Sequence, residues 1–223
     1  MDALEAKLNE LVVRTQAFHH AAERHRSRLQ PVRDLRHLVA FQAGSLALEH
    51  ALAARCLIAN GHLPSAFALF RPQFESLVRG IWLIHAANDT WIEKFAQPLT
   101  EESAKRANEG PGFADMLKDL ESSPTAPSHI VAQLREFKDA TWKPLNSYTH
   151  GGIHPLTRLV TGYPPQLTYD ALRNSNAVVA LSLQLLSILT GAPRNMEPVR
   201  HMHEEFEDCF NLLPPDGSSE IVD

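Results

Sequence analysis

Leu4, Leu8, Leu11, Thr15, Phe18 and Ala22 recur at intervals of three and four. That spacing puts them on one helix face and predicts a helix over 2–29, ended by Pro31. A second stripe, Leu38, Phe41, Ser45, Leu48, Leu52 and Cys56, predicts a helix over 33–59. Asn60-Gly61 stops it, because both residues tolerate the left-handed cap conformation. Pro64 suits the first turn of a third helix reaching 88. From 90 to 125 the pattern breaks into short amphipathic pieces over 91–97, 101–108 and 113–121. Pro98, Gly110-Pro111-Gly112 and Pro124 separate them. A fourth long helix is expected over 127–149, bent by Pro144. A loop of about fifteen residues follows, with Gly151, Gly152, Pro155, Pro164 and Pro165; a loop that long usually serves function or an interface. A fifth helix is expected over 169–190 and a last one over 197–212. The Pro214-Pro215-Asp216-Gly217 run opens a tail expected to be disordered.

Long helices joined by short turns are antiparallel neighbours. The expected fold is therefore all-α: an antiparallel helical bundle of about five or six long helices, with 90–125 as a small helical insertion. Residues 1–213 form one domain in this reading, and 214–223 the tail. Composition agrees. Ala and Leu number 57 against 29 for Val, Ile and Thr, and unbranched side chains lose less rotamer freedom on a helix.

The chain of 223 residues carries a formal net charge of −5. Arg24, Arg26, Arg28, Arg33 and Arg36 crowd together near the N-terminus. Such a cluster suits phosphates, or equally the negative pole at a helix end. Cys56 and Cys209 form no CxxC pattern, so they read as buried small hydrophobes in a reducing compartment. The acidic N-terminus does not resemble a secretory signal, and the apolar stretch 177–190 is too short to span a bilayer. A cytoplasmic protein without a membrane span is expected.

Three segments hold candidate chemistry. Arg71, Glu75 and Arg79 are spaced by four and share one helix flank beside an apolar face of Phe67, Phe70, Phe74, Leu77, Val78, Ile81 and Ile84. This triplet is either the wall of a pocket or an ion-pair ladder pinning helices together. Pro72 leaves the Ala68 carbonyl without its helical donor. The second segment, Asn146-Ser147-Tyr148-Thr149-His150-Gly151-Gly152-Ile153-His154, packs hydrogen-bonding side chains onto a helix end. His150 suits proton transfer near neutral pH. His154 lies four residues on, but the intervening glycines argue against a helical metal pair. The third, His201 and Glu205, fits an acidic surface helix as well as it fits a metal. His19, His20 and His25 are expected to partner nearby carbonyls and charges. No P-loop, GxGxxG, HExxH or GxSxG pattern occurs in the sequence, which argues against the chemistries those motifs carry. No cofactor is implied, and no Glu-x-x-His pair marks a metal-binding bundle.

The Arg71–Glu75 helix continuing to Arg79-Gly-Ile-Trp82, and the later Ser147-Tyr-Thr-His150, resemble the R-x-x-x-E and S-x-x-H segments of certain bacterial helical proteins. Those proteins are of unknown function, allied to abortive-infection proteins of the V type and similar to the HEPN superfamily. The resemblance covers roughly 33–190. It implies an all-helical homodimer in a defence or stress setting, with an RNA or nucleotide ligand and, in active members, metal-independent RNase chemistry. In that reading Arg71, Glu75 and His150 are catalytic, while Arg79, Ser147, Tyr148 and His154 bind ligand. The superfamily motif is Arg, four to six residues, then His. Upstream of His150 that window holds Lys143, Pro144 and Leu145 and no Arg, so Arg71 or Arg79 would have to reach His150 across the bundle. The alternative is a non-catalytic interaction module, an antitoxin or scaffold subunit with a partner protein, whose Arg–Glu–Arg ladder is structural.

Overall fold

The computed structural model describes residues 3–98, 100–101, 103 and 110–210. The described residues form helices and no strand. The long helices are α1 (Ala3–Arg26), α2 (Leu35–Ala59), α3 (Leu63–His85), α6 (Ser128–Thr149) and α8 (Pro165–Ile188). The short ones are α4 (Asp89–Ala96), α5 (Phe113–Ser122), α7 (Ile153–Thr161) and α9 (Glu197–Glu205), with 3-10 turns at Pro193–Met196 and Glu207–Cys209. The expected piece at 101–108, apart from Glu101 and Ser103, and the tail at 214–223 lie outside the described residues.

The caps follow local chemistry. The Asp34 carboxylate accepts from the backbone N–H of His37 at 3.0 Å and starts α2. Gly61, at φ +76°, lies in the turn that ends α2. Pro64 and Pro165 sit in the first turns of α3 and α8, where no N–H is required of them.

Helix α8 is central and packs against α1, α2 and α3. Its buried side chains, from Leu172 to Leu186, point to more than one side, as expected of a helix enclosed by neighbours. One core gathers around Phe18, Phe67, Phe70 and Leu183. A second gathers around Phe74, Leu77, Trp82, Met116 and Leu134 and includes the insertion helix α5.

The structure corrects three expectations here. The loop after α6 contains α7, because Pro155 falls in that helix's first turn and Gly162, at φ +80°, closes it. The stripe assigned to α2 is largely wrong: Leu38 is exposed, and the buried face is Val39, Ala40, Gly44, Ala47, Leu48, Ala51, Ala54 and Ile58. Small residues let α2 approach α3 closely, so shape rather than side-chain hydrophobicity selects that face. Cys56 is exposed and only Cys209 is buried; burial pushes the Cys209 thiol up to about 12.

The histidines of α1 also depart from expectation. His19 is buried and bonds Asn176 of α8 at 3.0 Å, and His25 bonds Ser187 at 2.9 Å. These are cross-helix bonds rather than local ones. Arg36 donates to the carbonyls of Leu83 and Ala87, each at 2.7 Å, and pairs with Asp89. It therefore caps the C-terminus of α3, and Arg26 pairs with Glu23 one turn away.

Candidate functional site

The site sits where α3 and α6 cross. Pro72 lies inside α3 and withdraws the donor for the Ala68 carbonyl. The Thr149 hydroxyl, in the last turn of α6, donates to that carbonyl. His150 follows as the C-terminal cap of α6, and its ring reaches back over α3.

Arg71 is the centre of the arrangement. Its Nε donates to Glu75 Oε1 at 2.9 Å, with about 19% and 26% of the two side chains exposed. Its guanidinium lies 4.9 Å from the centre of the Trp142 ring, a favourable position over the negative π-face. Trp142 is itself stacked on Phe113 of α5 at 4.0 Å. The insertion helix thus braces the ring that holds the guanidinium. Arg71 Nη1 contacts His150 Nε2 directly. Arginine can only donate, so in this contact His150 Nε2 is placed as the acceptor. His150 is exposed to solvent. A restrained guanidinium beside an exposed imidazole can bind an anionic oxygen and move a proton next to it.

The other expected site residues divide. Arg79 does not complete a ladder with Glu75; its guanidinium lies 5.7 Å from the Phe95 ring centre, and its Nε is buried without a hydrogen bond. The Ser147 hydroxyl accepts from the His154 N–H at 3.0 Å, and its carbonyl accepts from Gly152 N–H at 2.7 Å. Ser147 therefore shapes the α6–α7 turn. A Cβ on Gly152 would stand 2.7 Å from the Ser147 hydroxyl, which explains that glycine. Tyr148 is buried against Phe67, at 4.8 Å, and the His154 ring lies 5.7 Å away. Burial raises the Tyr148 phenol above its ordinary value, against the opposing hydrogen bond from Arg158. Lys143 is exposed and takes no part in the Arg71–His150 contact.

Trp142, Phe113 and Arg158 were missed by sequence reasoning, and Thr149 was read only as part of the polar segment at the end of α6. Only Thr149 carried a signal, since Pro72 announces an acceptor needing a donor. His201 and Glu205 form an exposed pair at 3.9 Å on α9, and no group of three metal-ligating side chains gathers among the described residues.

Residues 44–212, from within α2 past the end of α9, match the family of unknown function DUF6988. The chain belongs to this family. The matched segment includes Arg71, Glu75, Trp142, Thr149 and His150, whereas α1 with its arginines lies before it. Helix α1 is nonetheless fastened to the matched part, with Arg14 gripping Asp208 at 2.8 and 2.9 Å and the Glu205 carbonyl at 2.7 Å. No curated protein and no solved structure matches the chain. No described helix is long and apolar enough to cross a membrane.

Proposed function

We propose that this protein is a HEPN-like helical protein of a bacterial defence or stress system that binds RNA at Arg71 and His150 and cleaves it without a metal. The observation that carries the reading is the contact between the restrained Arg71 guanidinium and His150. In this proposal a phosphate takes the guanidinium from His150 and frees Nε2. His150 Nε2 then removes the proton of the neighbouring 2′-hydroxyl. The 2′-oxygen bonds to phosphorus, the bond to the 5′-oxygen breaks, and that oxygen leaves with a proton from solvent or a facing protomer. Arg71 offsets the charge that builds on the phosphoryl oxygens, and Glu75 keeps the guanidinium oriented.

A homodimer suits the same reading. Ile153, Leu156, Leu159 and Val160 of α7 are 74%, 61%, 68% and 88% exposed. An exposed apolar face of this kind suits an interface between copies, and α7 begins just beyond His150. The same face favours the second reading, an interaction module in which Arg71–Glu75 is structural.

The test is incubation of the purified protein with total RNA in EDTA, alongside His150→Ala and Arg71→Ala. EDTA-resistant cleavage lost in both folded variants is the expected outcome. A well-folded protein that never cleaves, yet stays dimeric until Val160→Glu disrupts it, belongs to the second reading.

A further inference from the structure

Helices α6 and α8 both pack on α3 but scarcely touch each other. The slot between them has a volume of about 160 Å³. A void of roughly 150 Å³ holds one benzene ring. Phe67, Phe70, Phe137 and Tyr148 supply aromatic walls, and Pro144 narrows the α6 side.

The lining of the slot carries a single charge. Gln73 Nε2 donates to the Ser175 carbonyl at 2.9 Å, and the Ser175 hydroxyl donates to Gln73 Oε1 at 2.8 Å. The Thr141 hydroxyl donates to the Phe137 carbonyl at 2.6 Å, and the Tyr148 phenol oxygen accepts from Arg158. Asn174 completes the polar lining, and Asp170 is the one charged residue in it. Asp170 lines the slot and is held through Oδ1 by Gln166 at 2.8 Å. No Lys or Arg is among the lining residues.

We infer that this slot is a binding site for a small organic cation: an ammonium group on an apolar body the size of one ring. Aromatic faces attract a cation and offer an anion nothing. The Asp170 carboxylate takes an ammonium proton in a charge-assisted hydrogen bond. The site is separate from Arg71 and His150, whose guanidinium repels such a ligand, and it stands whether or not RNA binds there.

Benzylammonium is the probe, with benzyl alcohol and benzoate as neutral and anionic counterparts. Titration is followed by methyl resonances of Leu145, Leu167 and Val178. Benzylammonium should give saturable shifts at these methyls and bind about tenfold more tightly than either counterpart, as expected of a desolvated cation over aromatic rings. Asp170→Asn should lower its affinity to that of the alcohol. Equal binding of all three probes, indifference to Asp170→Asn, or shifts confined to other parts of the protein would overturn the inference. Should Asp170→Asn not fold, the comparison of the three probes on the unaltered protein decides alone.

Discussion

The Thr149 hydroxyl lies 3.3 Å from the carbonyl of Ala68, the acceptor that Pro72 deprives of its helical donor. A proline inside α3 is thereby compensated from α6, one residue before His150. Thr149→Val keeps the shape and removes the donor, leaving a part-buried carbonyl unpaired. The expected loss is about 1–2 kcal/mol of stability, with Thr149→Ser recovering most of it. Urea unfolding of the three proteins checks this; equal midpoints for Val and Thr would rule the bond out as a stabilising contact.

Glu75 pairs with Arg71 and not with Arg79, and both partners are part-exposed. Glu75→Gln is therefore expected to cost only about 1 kcal/mol, far from the several kcal/mol that stranding a fully buried charge would cost. If the proposed RNA cleavage is the activity, it should fall much more than stability, because the guanidinium loses its orienting partner while Trp142 still covers it. Thermal melts set against cleavage rates separate the two effects. A large drop in melting temperature with unchanged cleavage per folded molecule would make Glu75 purely structural.

The parts that sequence made legible are those governed by local chemistry. The apolar face of α3 appears where the spacing of Phe67, Phe70, Phe74, Leu77, Val78 and Ile81 puts it. Asn60-Gly61 and Pro64 mark real helix ends. Helix α7 was hidden because its glycines and proline resemble a loop until Pro155 is seen to occupy a first turn. The buried face of α2 was hidden because alanine and glycine pack by fit, and period alone ranks leucines above them. At the site, Arg71 and Glu75 were legible as an i,i+4 pair, and His150 as a cap. Trp142 and Phe113 act through contacts between separate helices, which no spacing along one helix encodes.

His19 is buried against Asn176, and burial lowers its pKa to about 4. Arg55 and His20 push in the same direction, while the Asn176 bond opposes. In the unfolded chain His19 titrates near 6.5. Between those values the unfolded state binds more protons, so stability falls as pH drops from about 6.5 to about 4 and levels off below. The loss from His19 alone is on the order of 3 kcal/mol. His19→Gln keeps a donor for Asn176 and removes the titration. Chemical unfolding at pH 7 and pH 4.5 should show a smaller pH difference for that variant; an equal difference would place the acid sensitivity elsewhere.

Two glycines at the junction of α2, α3 and α8 offer a contrast in what a single methyl meets. A Cβ on Gly80 would stand 2.8 Å from Leu185 Cδ2 and 3.2 Å from the Ala40 carbonyl. The carbonyl is backbone held inside α2 and cannot move aside without shifting the helix. A Cβ on Gly44 would meet Leu186 Cδ2 at 2.9 Å, the end of a flexible side chain. Each change gains about 1 kcal/mol in helix propensity, and overpacking costs about 1–3 kcal/mol where the neighbours cannot yield. Gly44→Ala should therefore lie within about 0.5 kcal/mol of the parent, while Gly80→Ala should lose about 1–2 kcal/mol. Denaturant midpoints with unchanged slopes measure both. If Gly80→Ala were as stable as the parent, the helices would have room to separate, and the close approach of α2 to α3 would not be what selects small residues on its buried face.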